Sequence, residues 1–454
     1  MVLLFVLVLG AVAFIAYGWK PTLAAVAKPD AAQFDPALVA RGGLLARAGN
    51  CASCHTAPSQ AAYAGGVPID TPFGTIYGTN ITPDPETGIG HWSEAAFRRA
   101  MREGVDREGR HLYPAFPYDH FTRVTDDDDR ALYAFLMTRT PVRADPPRNE
   151  LPFPLNIRML LAGWKLLFFH PGAWQPDATR DPAWNRGAYL VEGLGHCSAC
   201  HSPRNALGAE RAEAHLGGGM AEGWNAYALN AASPAPIPWT VDTMAAYLGR
   251  GWAEHHGVSR GPMAAVTANL AALPESDRTA MGTYLVGLMG VPSPERRNRA
   301  RKLLDTEVDT IEGASAGTQI PTSAGGAQPG AGIFAAACAS CHSGLRPLPF
   351  GGLNLAMSTA LQAPDPSNVI IVTLNGLPAA PGEPSAIMPG FAGALDDRQI
   401  ADLLTYLRTA VAGQKPWPDL ETTIRNVRTR ALTLRPSDGT TGAPDDPHVK
   451  ATGW

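Results

Sequence analysis

All six cysteines of this 454-residue chain fall in three copies of one five-residue pattern, Cys-X-X-Cys-His. The copies are Cys51, Cys54 and His55; Cys197, Cys200 and His201; and Cys338, Cys341 and His342. A cysteine pair with two residues between serves as a zinc half-site, a dithiol redox centre or, when His follows, an attachment point for haem c. Zinc ribbons set two such pairs close together, whereas these pairs lie more than a hundred residues apart. A dithiol centre needs neither the His nor three copies. Covalent haem accounts for both. The two thiols add to the two vinyl groups of one porphyrin, so they must sit about one helical turn apart on one face. The adjacent His then swings beneath the ring and ligates iron. Small residues between the cysteines (Ala52, Ser53; Ser198, Ala199; Ala339, Ser340) leave space for the macrocycle edge. The pattern predicts three covalently bound haem c groups, attached outside the cytoplasm.

A six-coordinate c haem commonly takes Met on its far side. Two candidates stand in expected loops at the right distance along the chain: Met263 in "HGVSRGPM" and Met388 in "SAIMPGF". The first repeat departs from this. Gly104 to Phe116 and Gly251 to Met263 are both 12 residues, so Phe116 stands where a Met is expected. Phe cannot ligate iron. His120, four residues on and beyond Pro117, is the expected substitute. A propionate contact for His120, a vacant site, His111, or Met101 or Met137 after rearrangement stay open. His111 reads as a surface residue.

These motifs need elements to hold them. Asp35-Pro36 and Asp181-Pro182 are N-cap and N1 pairs that open helices ahead of the first two motifs. Arg41-Gly42 and Arg186-Gly187 repeat the same phase. Each repeat closes in a periodic helix: "DDDDRALYAFLMTR", "ESDRTAMGTYLVGLM" and "LDDRQIADLLTYLRTA", with Tyr133, Tyr284 and Tyr406 in matching places. Asp126–Asp129 read as a solvated helix start, where anions suit the dipole. The expected architecture is mainly α: three tandem class I-like cytochrome c domains plus one N-terminal transmembrane helix. The boundaries are an anchor at 1–20, a first domain at 31–145, an amphipathic linker at 146–180 and a second domain at 181–300. A flexible linker at 301–330, a third domain at 331–415 and a polar tail at 416–454 complete the chain.

The segment from Val2 to Trp19 carries no charge. It is short for a span and resembles a signal-peptide core, but it lacks a basic leader and a close cleavage site. A retained anchor is expected, with the haem-bearing bulk on the periplasmic side of a bacterial inner membrane. Leu151–His170 is apolar, with Arg158 and Lys165 seven apart on one helical face. It reads as a linker packed on the haem domains, or as an interfacial or quinone-side docking helix. Net charge is −4, so nucleic acid is not an expected partner.

With "TPFGTIYGTNITPDPETGIGHWS", "LYPAFPYDHF", "HGVSRGPM" and "IMPGF", the chain resembles the membrane-associated three-haem cytochrome c subunits of bacterial periplasmic dehydrogenases. Those subunits accompany quinoprotein alcohol dehydrogenases, flavin-dependent sugar-acid and sugar dehydrogenases, and molybdenum hydroxylases. The alcohol and sugar branches typically read "LYPAMPY" where this chain has Phe116. "AFPYDHF" is closer to the molybdenum hydroxylase branch acting on aldehydes, nicotinate or isoquinoline. The resemblance implies electrons passing from a catalytic subunit, with an iron–sulfur partner in the favoured branch, to ubiquinone or a terminal oxidase. The residues themselves show no cofactor-binding glycine fingerprint or catalytic constellation. A peroxidase-like enzyme with an open first haem rests only on Phe116, and a haem-based sensor would need an effector domain.

Overall fold

The computed structural model describes residues 1–58, 60–315, 329–342, 351–378 and 387–433. The chain divides into two compact units. Met1–Ala199 and Ala272–Met281 make the first, and Cys200–Ala271 with the described part of Gly282–Thr440 makes the second. The second Cys-X-X-Cys-His motif therefore has Cys197 in one unit and Cys200 and His201 in the other. The described strands form only two-stranded hairpins.

In the first unit, α1 (Val2–Gly18) is followed by α2 (Pro36–Ala48), capped as expected by the Asp35 carboxylate on the Ala37 amide at 2.9 Å. α3 (Cys51–His55) carries the first motif. The hairpin β1 (Pro68–Thr71) and β2 (Gly74–Tyr77) leads on to α4 (Glu94–Glu103), α5 (Tyr118–Phe121) and α6 (Asp126–Met137). α2 crosses α6 closely, because Gly42 has no side chain there. A Cβ at Gly42 would stand 2.6 Å from the Ala131 carbonyl carbon and 2.7 Å from Phe135 Cβ. α7 (Leu161–Phe168) and α8 (Pro182–Glu192) follow, and Asp181 caps α8 on the Trp184 amide at 2.8 Å. Arg186 of α8 forms a two-pronged pair with Asp277, both contacts at 2.8 Å.

In the second unit, α9 (Ser198–His201) completes its motif from Cys200 onward. Then come β3 (Gly219–Ala221), β4 (Trp224–Ala226), α10 (Val241–Arg250), β5 (Trp252–Ala253), β6 (Gly257–Val258) and α11 (Pro262–Leu270); α12 (Glu275–Met289) belongs to the first unit up to Met281 and to the second from Gly282. α13 (Pro294–Ser315), α14 (Pro329–Ala337), α15 (Ala339–His342), α16 (Thr359–Gln362), α17 (Ser367–Asn375), α18 (Asp397–Tyr406) and α19 (Leu420–Thr433) complete the described chain. Leu361, Ile370, Leu374, Ile400, Leu403 and Leu404 form a buried core against which Phe334 and Cys338 pack. α14 and α18 repeat the crossing of α2 and α6.

Several expectations are corrected. No helix among the described residues is long and apolar enough to cross a membrane, and α1 runs for 17 residues. The linker expected at 301–330 is helical to Ser315 and again from Pro329; its middle lies outside the described residues. The strong helix formers of "ERRNRARKLLDTE" explain the extension. The expected polar tail begins with α19, because Leu420 and Ile424, four apart, are buried together on the core; its last part lies outside the described residues. Of the acidic run, Asp126 and Asp127 are exposed, but Asp128 and Asp129 are buried. Asp128 pairs with Arg41 at 2.5 Å and accepts from Tyr189 Oη at 2.5 Å, while Asp129 pairs with Arg102 at 2.8 Å. Burial outweighs that pairing and pushes the Asp129 carboxyl up to about 7.

Candidate functional site

The three motifs share one local geometry. Each is helical at its His end, and in the first both cysteines, three positions apart, lie on one helix face. No disulfide joins any of the six thiols. Burial raises the Cys51 thiol to about 12, with Cys54 adding to the effect, and burial likewise raises Cys200 and Cys338. They are reduced cysteines, the state from which thioethers to a vinyl group form.

Each motif's His is anchored through the same nitrogen. His55 Nδ1 lies 2.6 Å from the Thr79 carbonyl oxygen, His201 Nδ1 2.6 Å from that of Tyr227, and His342 Nδ1 2.8 Å from that of Leu353. A carbonyl can only accept, so each Nδ1 carries the proton and each Nε2 is left with its lone pair. Burial lowers all three imidazoles below their ordinary value, which keeps them neutral. A neutral imidazole oriented through one nitrogen is the ligand form that a metal needs.

Glycines keep the space around each anchor. A Cβ at Gly78, next to Thr79, would overlap the Cys54 carbonyl group. One at Gly352, next to Leu353, would stand 2.7 Å from His342 Nδ1 and 2.9 Å from the Cys341 oxygen. Gly219 lies against the Cys200 and Ser202 carbonyls in the same way. Haem c fits this donor set: two thiols three positions apart, one oriented neutral imidazole, and a backbone cradle closed to side chains. When bound, the haems supply one-electron chemistry.

The backbone leading to Phe116 repeats that leading to Met263. α4 and α10 both end in a left-handed glycine, Gly104 at φ 61° and Gly251 at φ 74°. The Leu112 amide donates to the Gly104 carbonyl at 2.8 Å, and the Ser259 amide to that of Gly251 at 2.7 Å. Phe116 and Met263 each follow four residues after that bond. Met263 lies in the first turn of α11, not in a loop as expected, because Pro262 starts the helix one residue earlier. Met388 lies in an extended pairing with Leu377, ahead of α18.

His120 lies beside the second motif. It is buried, with Nδ1 3.1 Å from the Glu192 carbonyl oxygen and Nε2 3.4 Å from Ser198 Oγ. One tautomer satisfies both, and Ser198 is inside the second motif. Ligation of iron through Nε2 would keep the Nδ1 contact, as in the motif histidines, and break the one to Ser198. His111 is buried rather than at the surface. Its Nε2 lies 2.7 Å from the Gly18 carbonyl oxygen and its Nδ1 3.1 Å from Lys165 Nζ. Lys165 donates to the Glu103 and Gly104 carbonyls at 2.5 and 2.7 Å, satisfying the end of α4. Met101 and Met137 are core residues of α4 and α6. Phe116 packs on Phe121 at 5.3 Å between ring centroids, and Phe121 on His196 at 5.6 Å. Sequence reasoning missed the Nδ1 acceptors and the buried Lys165.

The cytochrome c family model matches residues 39–140 and 327–410. The gluconate 2-dehydrogenase cytochrome c subunit of Pantoea cypripedii is 38% identical over 394 residues, which is 83% of this chain and 86% of that protein. This chain belongs to the cytochrome c subunits of dehydrogenases. It is the electron-transfer component of such an assembly rather than the catalytic one, and its family implies covalently bound haem c. The cytochrome c subunit of the quinone-dependent alcohol dehydrogenase of Gluconobacter oxydans is 33% identical over 440 residues, 92% of this chain and 85% of that one. A nicotinate dehydrogenase subunit of Pseudomonas putida is 47% identical over 414 residues, 90% of this chain. This chain spans only 33% of that relative's length.

Proposed function

We propose that this cytochrome carries three haems and relays electrons from a catalytic dehydrogenase subunit to ubiquinone or a terminal oxidase, at the periplasmic face of a bacterial inner membrane. The observation that carries the number is the threefold geometry: at Cys51–His55, Cys197–His201 and Cys338–His342 the same Nδ1-to-carbonyl anchor leaves the same Nε2 to iron. Met263 and Met388 are the proposed sixth ligands of the second and third haems. The first haem, with Phe116 at that place, differs from both.

A molybdenum hydroxylase with an iron–sulfur subunit is the favoured catalytic partner, supported by the match to the nicotinate dehydrogenase relative. A quinoprotein or flavoprotein is the second reading, supported by the alcohol and gluconate dehydrogenase relatives. Membrane association is supported by exposed apolar surface. Leu3, Leu4 and Phe5 of α1 are exposed, as are Phe153, Leu166 and Leu167 in the segment before and within α7. The two elements meet where Gly18 packs on the side chains of Met159 and Ala162.

Pyridine haemochrome analysis of the mature protein should count three haems per chain, and Cys197→Ala should lose one. Fewer than three in a fully matured sample would refute the number. A strain lacking the subunit should oxidise the substrate with artificial dyes but lose substrate-driven oxygen uptake. Unchanged respiration would refute the relay. Removing residues before Lys20, with a cleavable secretion signal in their place, should release the protein from membranes.

A further inference from the structure

His256 sits at the turn of the hairpin joining β5 to β6. It is 8% exposed, and neither Nδ1 nor Nε2 has a hydrogen-bond partner among the described residues. Its ring lies flat on Trp239, with centroids 3.5 Å apart and an interplanar angle of 10°. Its neighbour His255 is satisfied differently, with Nε2 3.1 Å from a Glu307 oxygen. A buried imidazole with both nitrogens unsatisfied has given up its water hydrogen bonds for nothing, and folded proteins rarely leave polar groups so. Both nitrogens stand open to a group outside the polypeptide.

The surroundings indicate which group. Trp239 meets Tyr247 edge-on at 5.5 Å and 77°. The Tyr247 hydroxyl feels both Tyr227 and Arg260 electrostatically. The carbonyl oxygen of Tyr227 is the one that holds His201 Nδ1. Tyr227 is thus common to the surroundings of Tyr247 and of the proximal ligand of the second haem. The loop containing His256 also carries Met263 and Arg260. Arg260 Nη2 donates to the Pro378 carbonyl at 2.8 Å, but its Nε is buried without a partner among the described residues. Two unanswered nitrogen donors in one loop call for an anion. Thioether attachment uses the vinyl groups of haem c and leaves its two propionate carboxylates free.

We propose that His256 and Arg260 hold the propionate carboxylates of the second haem, with Trp239 as the platform for the imidazole. Burial pushes His256 down to about 3 in the polypeptide alone, so it enters the site neutral, with one N–H to give. The proposal rests on the reading that Cys197–His201 carries a haem.

The test uses the full, haem-loaded protein in a spectroelectrochemical titration with parallel EPR. His256→Phe keeps the stack on Trp239 and removes both nitrogens. It should shift one haem to lower potential, because a less compensated carboxylate favours ferric iron, and all haems that were low-spin should remain so. The shifted haem should be the one missing from the titration of Cys197→Ala. His256→Asn, which retains a donor, should restore part of the shift, and Arg260→Gln should move the same haem in the same direction. Unchanged potentials in both His256→Phe and Arg260→Gln would overturn the proposal. So would a haem turned high-spin by His256→Phe, which would make His256 an iron ligand, or a shift confined to another haem. A mature wild type without haem at Cys197 would instead overturn the underlying reading, and the proposal with it.

Discussion

Gly330 and Gly332 stand two residues apart in α14, and the structure predicts opposite consequences for the same change at each. A Cβ on Gly330 would overlap the Asp402 carbonyl group, 2.6 Å from its carbon, and would stand 2.7 Å from Tyr406 Cβ. A Cβ on Gly332 meets nothing within 4 Å. Both changes gain the helix propensity of Ala, about 1 kcal/mol each. That gain cancels between them, so their difference isolates the crossing. Relieving the overlap requires α14 to move off α18, and overpacking of this kind costs about 1–3 kcal/mol. Gly332→Ala should therefore be as stable as wild type or more so, with Gly330→Ala about 1–3 kcal/mol below it. The readout is denaturant unfolding followed at the haem Soret band, with haem content measured alongside. Because α14 leads directly into Cys338, Gly330→Ala should also lower haem occupancy of the third motif. Equal midpoints for the two variants would refute the claim that the glycine exists for the crossing.

His120→Ala should leave the first haem's EPR signal unchanged and destabilise the first unit by about 1–3 kcal/mol, the cost of orphaning buried partners; a new high-spin haem would restore His120 as its ligand. Met263→Ala and Met388→Ala should each turn one haem high-spin in EPR and lower its potential, since Met ligation raises it; a spectrum unchanged by either would remove that residue from the ligand set. Burial depresses Lys165 from 10.5 to about 7, so between those values the unfolded chain binds a proton that the folded chain lacks. Stability should therefore rise with pH across that window, by at most a few kcal/mol. Lys165→Met should flatten the rise in unfolding free energy between about pH 7 and pH 10, and an unaltered slope would refute it.

The sequence by itself determined the haem chemistry, because Cys-X-X-Cys-His works through neighbours three and four residues apart and short range is what a sequence records directly. The same holds for the Asp35-Pro36 and Asp181-Pro182 helix starts and for Phe116 standing at Met263's place, since each is a matter of spacing within one repeat. Tertiary structure alone decided which carbonyls hold the ligating imidazoles: they lie 24, 26 and 11 residues downstream, with no common interval. It placed His120 against partners 72 and 78 residues away, one of them Ser198 of the second motif. It also buried Asp128, Asp129 and Lys165, which a local reading leaves in solvent as charged residues at a helix start or on an amphipathic face. A side chain's partner across a fold depends on how helices cross, and those crossings turn on contacts such as Gly42 against Ala131 and Gly330 against Asp402. The chain carries the glycines in plain view, but only packing shows what each one lets approach.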